Sequence, residues 1–315
     1  MQNKKTIMVV SALFILIFHL WVNITTFIEE SIIRQICVVG VDLFFFVSAY
    51  SISKKKEIIY KDFIINRLTD IYLKFILLTI IYVIYTSKGL LDFIKIILGI
   101  DLFTKGGGSF LWFLPSIMII YVLLPLYKNI DNKYKKLCPI ISFVLFLILS
   151  ISLSTFTNYS EIFILLNRIP IIMLGYYIAK YNVLEILRNK KIIYAITTLL
   201  LVLIGYIISY KTIFNRIEII YLYDIKYILN IPLELGLIML LDLIKDNKVT
   251  SLFGSITLEL YGLQMIFGFK LANKLFISLK NPILVNIVTF IIIILLSLIM
   301  YYLYKLAKKL IKRIF

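Results

Sequence analysis

The chain has 315 residues, 62% of them apolar, a mean hydropathy of +1.00 and a formal net charge of +17. Such a balance excludes an ordinary soluble domain. In a soluble protein the charge would suggest nucleic acid, but here the basic residues flank long apolar runs. There is no helix-turn-helix, zinc or aromatic–basic strand pattern, so nucleic acid is excluded as a partner.

Crossing ~30 Å of hydrocarbon takes roughly 17–25 apolar residues. Ten runs qualify in chain order: 6–28, 31–53, 69–87, 110–127, 137–156, 159–180, 191–210, 225–244, 251–272 and 282–304. The first follows a basic start, as a signal peptide would. It is too long for one and no small-residue cleavage site follows, so it is read as a retained span. Segment 90–103 is apolar but short and interrupted by Asp92, Lys95 and Asp101, which predicts an interfacial helix. Gly106-Gly107-Gly108 lacks the ending of a phosphate loop and reads only as flexible. Cys37 and Cys138 lie on different predicted spans, outside any metal-ligand spacing. The prediction is therefore an all-α integral membrane protein, a single domain over 1–315, multi-pass in the cell membrane. Placing the termini and even-numbered loops in the cytoplasm puts most of the 34 basic residues there, as the positive-inside rule requires.

Five polar residues fall inside predicted spans. By the 1.5 Å rise, His19, Arg168 and Glu234 lie about 13 Å from the outer face, Asp42 about 16 Å and Gln264 about 12 Å. An ionisable group near mid-bilayer costs at least ~2.5–3.5 kcal/mol, so five at similar depth suggest a site. His19, the one histidine of the sequence, is the side chain suited to accept a proton near neutral pH. Arg168 is a fixed cation that holds an anionic ligand or pairs structurally with Asp42 or Glu234. Asp42 and Glu234 orient the histidine, balance the arginine or, with Gly40 beside Asp42, serve helix packing. Pro170 and Pro232 stand close to Arg168 and Glu234, and proline opens a helix where a cavity exists. Glu259, in the inner half of its span, is a packing residue or part of a donor path. A histidine oriented by a carboxylate, with a cation near, suits attack by a hydroxyl on an acyl group. Buried charges also suit a transporter or flippase for a glycan or lipid, although no paired repeat is evident.

Several strings resemble a known family. Gly40-Val41-Asp42-Leu43-Phe44-Phe45-Phe46-Val47-Ser48-Ala49-Tyr50 resembles the second-span signature of the acyltransferase-3 family, which typically carries a histidine late in span 1, where His19 stands. Ser109-Phe110-Leu111-Trp112-Phe113-Leu114, Arg168 to Gly175 and Gly254 to Tyr261 are similar to its later motifs, in the same order. The resemblance implies O-acyl transfer, usually of acetyl, from cytoplasmic acetyl-CoA to a hydroxyl of an extracytoplasmic glycan, cell-surface or lipid-linked. It assigns His19, Asp42 and Arg168 as catalytic. Trp112, Glu234, Glu259 and Gln264 are then expected at the substrate and Arg67 at the acyl-CoA, with no permanently bound cofactor and no metal. The sequence departs from the pattern at Met8 and Asp70, where the family commonly has arginine, and at Gln264, where it often has histidine. Lys4, Lys5 and Lys54 to Lys56 are the basic residues available to replace the arginines at the donor. A member without activity, serving only to bind, is the remaining alternative.

Overall fold

The structure is a computed structural model that describes residues 3–19, 33, 36–56, 58–105, 109–134, 140–142, 144–145, 148, 163–210 and 229–314. Among these there is no strand. The helices are α1 (Lys4–Phe18), α2 (Gly40–Ser53), α3 (Tyr60–Tyr85), α4 (Leu90–Ile97), α5 (Ile100–Lys105), α6 (Phe113–Lys133) and α7 (Phe163–Leu166). They continue as α8 (Ile169–Lys180), α9 (Val183–Asn189), α10 (Lys191–Tyr210), α11 (Ile231–Leu241), α12 (Lys248–Ser255), α13 (Thr257–Leu279) and α14 (Pro282–Ile314). The predicted interfacial element is α4 and α5, separated at Gly99, whose φ of +72° suits glycine alone.

Among the described residues, four helices, α3, α6, α10 and α14, are long and apolar enough to cross a membrane, and the pair α12–α13, bent by 54°, would make a fifth. This is fewer than the ten expected spans. Most of 137–156 and parts of 6–28, 31–53, 159–180 and 225–244 lie outside the described residues, as do Gly106 to Gly108 and Cys138. The remaining cause is physical: predicted spans 159–180, 225–244 and 251–272 are interrupted. α7 stops at Leu166, and α8 restarts after a turn at Asn167–Arg168 with Pro170 in its first turn. Proline has no N–H to offer the carbonyl one turn back, yet fits a first turn, where N–H groups lack helical partners anyway. Pro232 does the same for α11, after a turn at Asn230. The bend between α12 and α13 follows a Gly254–Ser255 pair, a common site for sharp kinks.

α1 and α2 run antiparallel. The Lys4 ammonium lies 5.7 Å from the Tyr50 ring, while at the other end a Cβ on Gly40 would meet the Ser11 carbonyl at 2.8 Å. α2 and α8 run side by side in the same direction, so close that a Cβ on Gly175 would meet the Phe46 carbonyl at 2.7 Å. One end of the bundle is rich in lysine and tied by polar contacts. Lys54 reaches Glu185 at 2.9 Å, Lys180 pairs with Asp131, Arg188 with Asp242, and Lys128 donates to the Ser53 carbonyl at 3.1 Å. At the same end the Asp246 carboxylate accepts from the backbone N–H of Thr6 at 2.8 Å and of Lys5 at 3.3 Å, capping the start of α1. The chain start and the loops after α2, α6, α8 and α11 therefore share one end.

Candidate functional site

Asp42 lies in the first turn of α2, Glu234 in the first turn of α11, and Arg168 is the N-cap of α8. Their side chains meet, so three helix starts converge on one buried point. The Arg168 Nε lies 3.0 Å from Asp42 Oδ1, with both side chains at most 3% exposed. The Glu234 carboxylate, 1% exposed, lies close enough to Asp42 and Arg168 to act electrostatically on both. Two carboxylates against one guanidinium leave the cluster acidic by formal charge. The helix starts answer this in part, because each carries a partial positive charge worth about 0.3–1 kcal/mol to a nearby anion. The broken spans thus have a use: they bring helix ends, and not only side chains, to the middle of the bundle.

Trp112 closes one side. Its ring lies 5.7 Å from the Arg168 Cζ, a cation–π contact. The turn before α6 aims it there: Leu111, fully buried, is held at φ +54°, a left-handed conformation costing about 1–2 kcal/mol outside glycine. Ser109 accepts the Trp112 N–H at 3.3 Å and completes the turn.

His19 ends α1, partly buried, with the Phe18 ring edge-on at 4.9 Å. Its Nδ1 lies 2.9 Å from the Ile15 carbonyl oxygen. A carbonyl only accepts, so Nδ1 carries the proton, and in the neutral ring Nε2 holds the basic lone pair. Because α1 and α2 are antiparallel and Gly40 packs between Ser11 and Ile15, His19 projects past the start of α2. Counted by helix rise, it stands about two turns beyond Asp42 along the bundle. The expected layer is therefore a step: Asp42, Arg168, Glu234 and Trp112 gather at one level, and His19 stands above them.

The other expected site residues have their own surroundings. Glu259, fully buried in α13, pairs with Lys74 of α3 at 2.6 Å, and Lys74 also sits over the rings of Tyr301 and Tyr304 of α14. Gln264 is buried farther along α13, and its amide makes no hydrogen bond among the described residues. Arg67 is exposed at the lysine-rich end, where it acts electrostatically on Lys4 and Lys55. There the Lys4 and Lys54 ammoniums flank the Tyr50 ring at 5.7 and 5.8 Å. Burial, then Lys54 and Arg67, pushes the Lys4 pKa down, and burial and Arg67 do the same for Lys55. Asp70 accepts from Tyr304 at 3.1 Å and pairs with Lys308.

A cavity of about 80 Å³ is lined by Met8, Phe44, Ser48, Phe113, Tyr121 and Tyr261, with Met8 and Ser48 on the lysine-rich side of Asp42. Phe113 joins the cavity to the cluster, since its ring meets those of Trp112 and Tyr261.

Residue-by-residue reading missed Asn230, which is 1% exposed and caps α11, and Lys74 as the partner of Glu259. A signal for the first existed: Arg168-Ile169-Pro170 and Asn230-Ile231-Pro232 place a polar residue at the same offset before Ile-Pro. No such signal marks Lys74, whose pairing depends on how α3 crosses α13.

No curated protein and no solved structure matches the chain. The model of the acyltransferase-3 family, described as an acyltransferase domain, matches residues 9–302. That range takes in His19, Asp42, Trp112, Arg168 and Glu234 together with every helix that positions them. On that match the chain belongs to the acyltransferase-3 family and is, in general terms, a membrane acyltransferase.

Proposed function

We propose that the protein moves a short acyl group, acetyl first of all, from cytoplasmic acyl-CoA to a hydroxyl of an extracytoplasmic glycan. The observation that carries this reading is the His19 ring, whose Nδ1 donates to the Ile15 carbonyl at 2.9 Å and so leaves the basic lone pair on Nε2. In the reaction Nε2 takes the proton of the acceptor hydroxyl as its oxygen attacks the thioester carbonyl. The carbon–sulfur bond breaks, and the CoA sulfur leaves with the proton that His19 returns. Arg168, with Asp42 and Glu234, holds α2, α8 and α11 in register below the histidine. Trp112 joins that support to the cavity.

The lysine-rich end, with Lys4, Lys54 and Arg67 acting on one another, suits the phosphates of a CoA donor and supports a cytoplasmic assignment for that end. Met8 takes the family's arginine position but lines the cavity instead. A water needs roughly 10–15 Å³ of such volume, so a cavity of about 80 Å³ admits a few heavy atoms. That favours acetyl over a long acyl chain.

Replacing His19 with asparagine tests the reading, since the amide still hydrogen-bonds but has no useful basicity. General-base help is worth ~10²–10⁴ in rate. His19→Asn should reach the membrane at normal abundance and leave the surface glycan without its acetyl mass increment. Wild-type acetylation at equal abundance would reduce His19 to a packing residue.

The interruptions at Arg168 and Asn230 favour one second reading, because broken helices with charges at their starts also line transport paths. Deleting the protein separates the two. Loss of the acetyl increment alone supports transfer, and loss of the whole glycan supports transport.

A further inference from the structure

A second, separate site lies between α10 and α11, where a groove of about 480 Å³ opens sideways out of the bundle. Arg188 and Lys191 stand at its lysine-rich end, and Tyr194, Thr198, Val202 and Leu240 line its length. From Lys191 to Val202 the helix rises about 16 Å, close to half of a ~30 Å hydrocarbon core. The groove is therefore one leaflet deep: basic where a headgroup would lie, apolar where a chain would.

We propose that this groove binds one anionic phospholipid, with its phosphate on Arg188 and Lys191 and one acyl chain laid along α10 and α11. Charge complementarity argues for an anionic occupant. The Arg188 guanidinium has five N–H donors, and its Nη2 bonds Asp242, so further donors remain for a phosphate oxygen. Lys191 is exposed beside it and Lys190 adjoins it in sequence, so the groove's head is cationic even after Asp242 is counted. A contrast within the molecule sharpens the point. The groove of about 660 Å³ between α3, α5 and α6 is larger, yet no charged side chain lines it. It offers a lipid chain only generic contact, whereas the α10–α11 groove also offers a headgroup site. Basic pockets between helices at a membrane surface bind anionic lipids in this way. The site involves none of His19, Asp42, Arg168 or Glu234, so it stands apart from the acyl-transfer reading.

Delipidated full-length protein, titrated with phosphatidylglycerol or phosphatidylcholine of the same chains, tests this by native mass spectrometry. The expected result is one phosphatidylglycerol held in preference to phosphatidylcholine. Lys191→Gln should weaken it about fivefold, the factor for one basic residue at a membrane surface. Ala195→Trp, at an exposed position lining the groove, should fill it and remove the tight lipid. Leu123→Trp in the uncharged groove should change neither value. Equal binding of the two lipids would overturn the proposal. So would wild-type selectivity in both groove variants, or an equal loss in Leu123→Trp.

Discussion

Where α2, α8 and α11 begin, one guanidinium serves two carboxylates in a dry interior. At the far ends of these helices, Lys54, Lys180 and Arg188 each take a carboxylate with their own side chains 21–29% exposed; Asp131 and Asp242 are buried, and Glu185 alone is an exposed partner. The chemistry of the pairs is the same and their consequences differ. An exposed pair gains little, typically 0.2–1 kcal/mol, because water competes and salt screens it. A buried pair gains little net stability either, but losing one partner strands a charge and costs about 3–5 kcal/mol. The Lys54–Glu185 pair, exposed on both sides, can thus tolerate change, whereas the Arg168 cluster specifies one arrangement of three helices. A chain built for stability alone would fill that position with leucine.

The largest expected effect follows from stranding those carboxylates. Arg168→Leu should cost about 3–5 kcal/mol and lower the yield of folded protein in detergent. Arg168→Lys keeps the charge but loses the planar fork that reaches Asp42 and stacks on Trp112. It should fold and insert, yet lose about 10²-fold in acyl transfer, the scale of a small misplacement near the chemistry. Near-normal transfer by Arg168→Lys at equal abundance would make the arginine a structural charge and erase the contrast drawn here. An intermediate effect is expected where α8 touches α2. Gly175→Ala puts a methyl group 2.7 Å from the Phe46 carbonyl, so the helices must part, at about 1–3 kcal/mol. Thermal unfolding in detergent reads that cost, and an unshifted midpoint would show that the contact yields freely.

The smallest effect belongs to the lysine-rich end. Glu185→Gln removes the Lys54 bridge and should cost under about 1 kcal/mol, less still in high salt. The Lys54 hydrogen bond holds the Glu185 carboxyl below its ordinary range. A depressed carboxylate stabilises the fold above its unfolded pKa of about 4.3, and that contribution fades as pH falls through the lower folded value. Wild type and Glu185→Gln should therefore converge in stability on acidification below about pH 4. A gap that widens in acid would contradict the sign.

The sequence made the site's members legible more readily than its shape. Asp42, Arg168 and Glu234 announce themselves as charges amid hydrocarbon, and burial costs alone bring them together. His19 was expected level with them because depth was counted along uninterrupted spans. The structure breaks those spans at Pro170 and Pro232 and lets α1 run past the start of α2. Proline marks where a helix can stop, but the choice between a kink and a restart belongs to the packing around it. Glu259 stood out as a charge within a span, but its pairing with Lys74 depends on how α3 crosses α13. The number of spans was the least legible feature, since hydropathy measures the length of a run and not whether one helix or two fill it.

The cap on α1 bears on how the chain is made. Thr6 and Asp246 are separated by 240 residues, so the carboxylate that satisfies N–H groups at the start of α1 is synthesised long after them. Until translation reaches it, interfacial water must serve those donors, and α1 waits in the bilayer with its leading end unfastened. A truncated or stalled product ending before Asp246 would therefore expose the loose start of its own first helix, whatever the quality of the spans between. Synthesis of Asp246, and not entry of α1 into the bilayer, completes that cap.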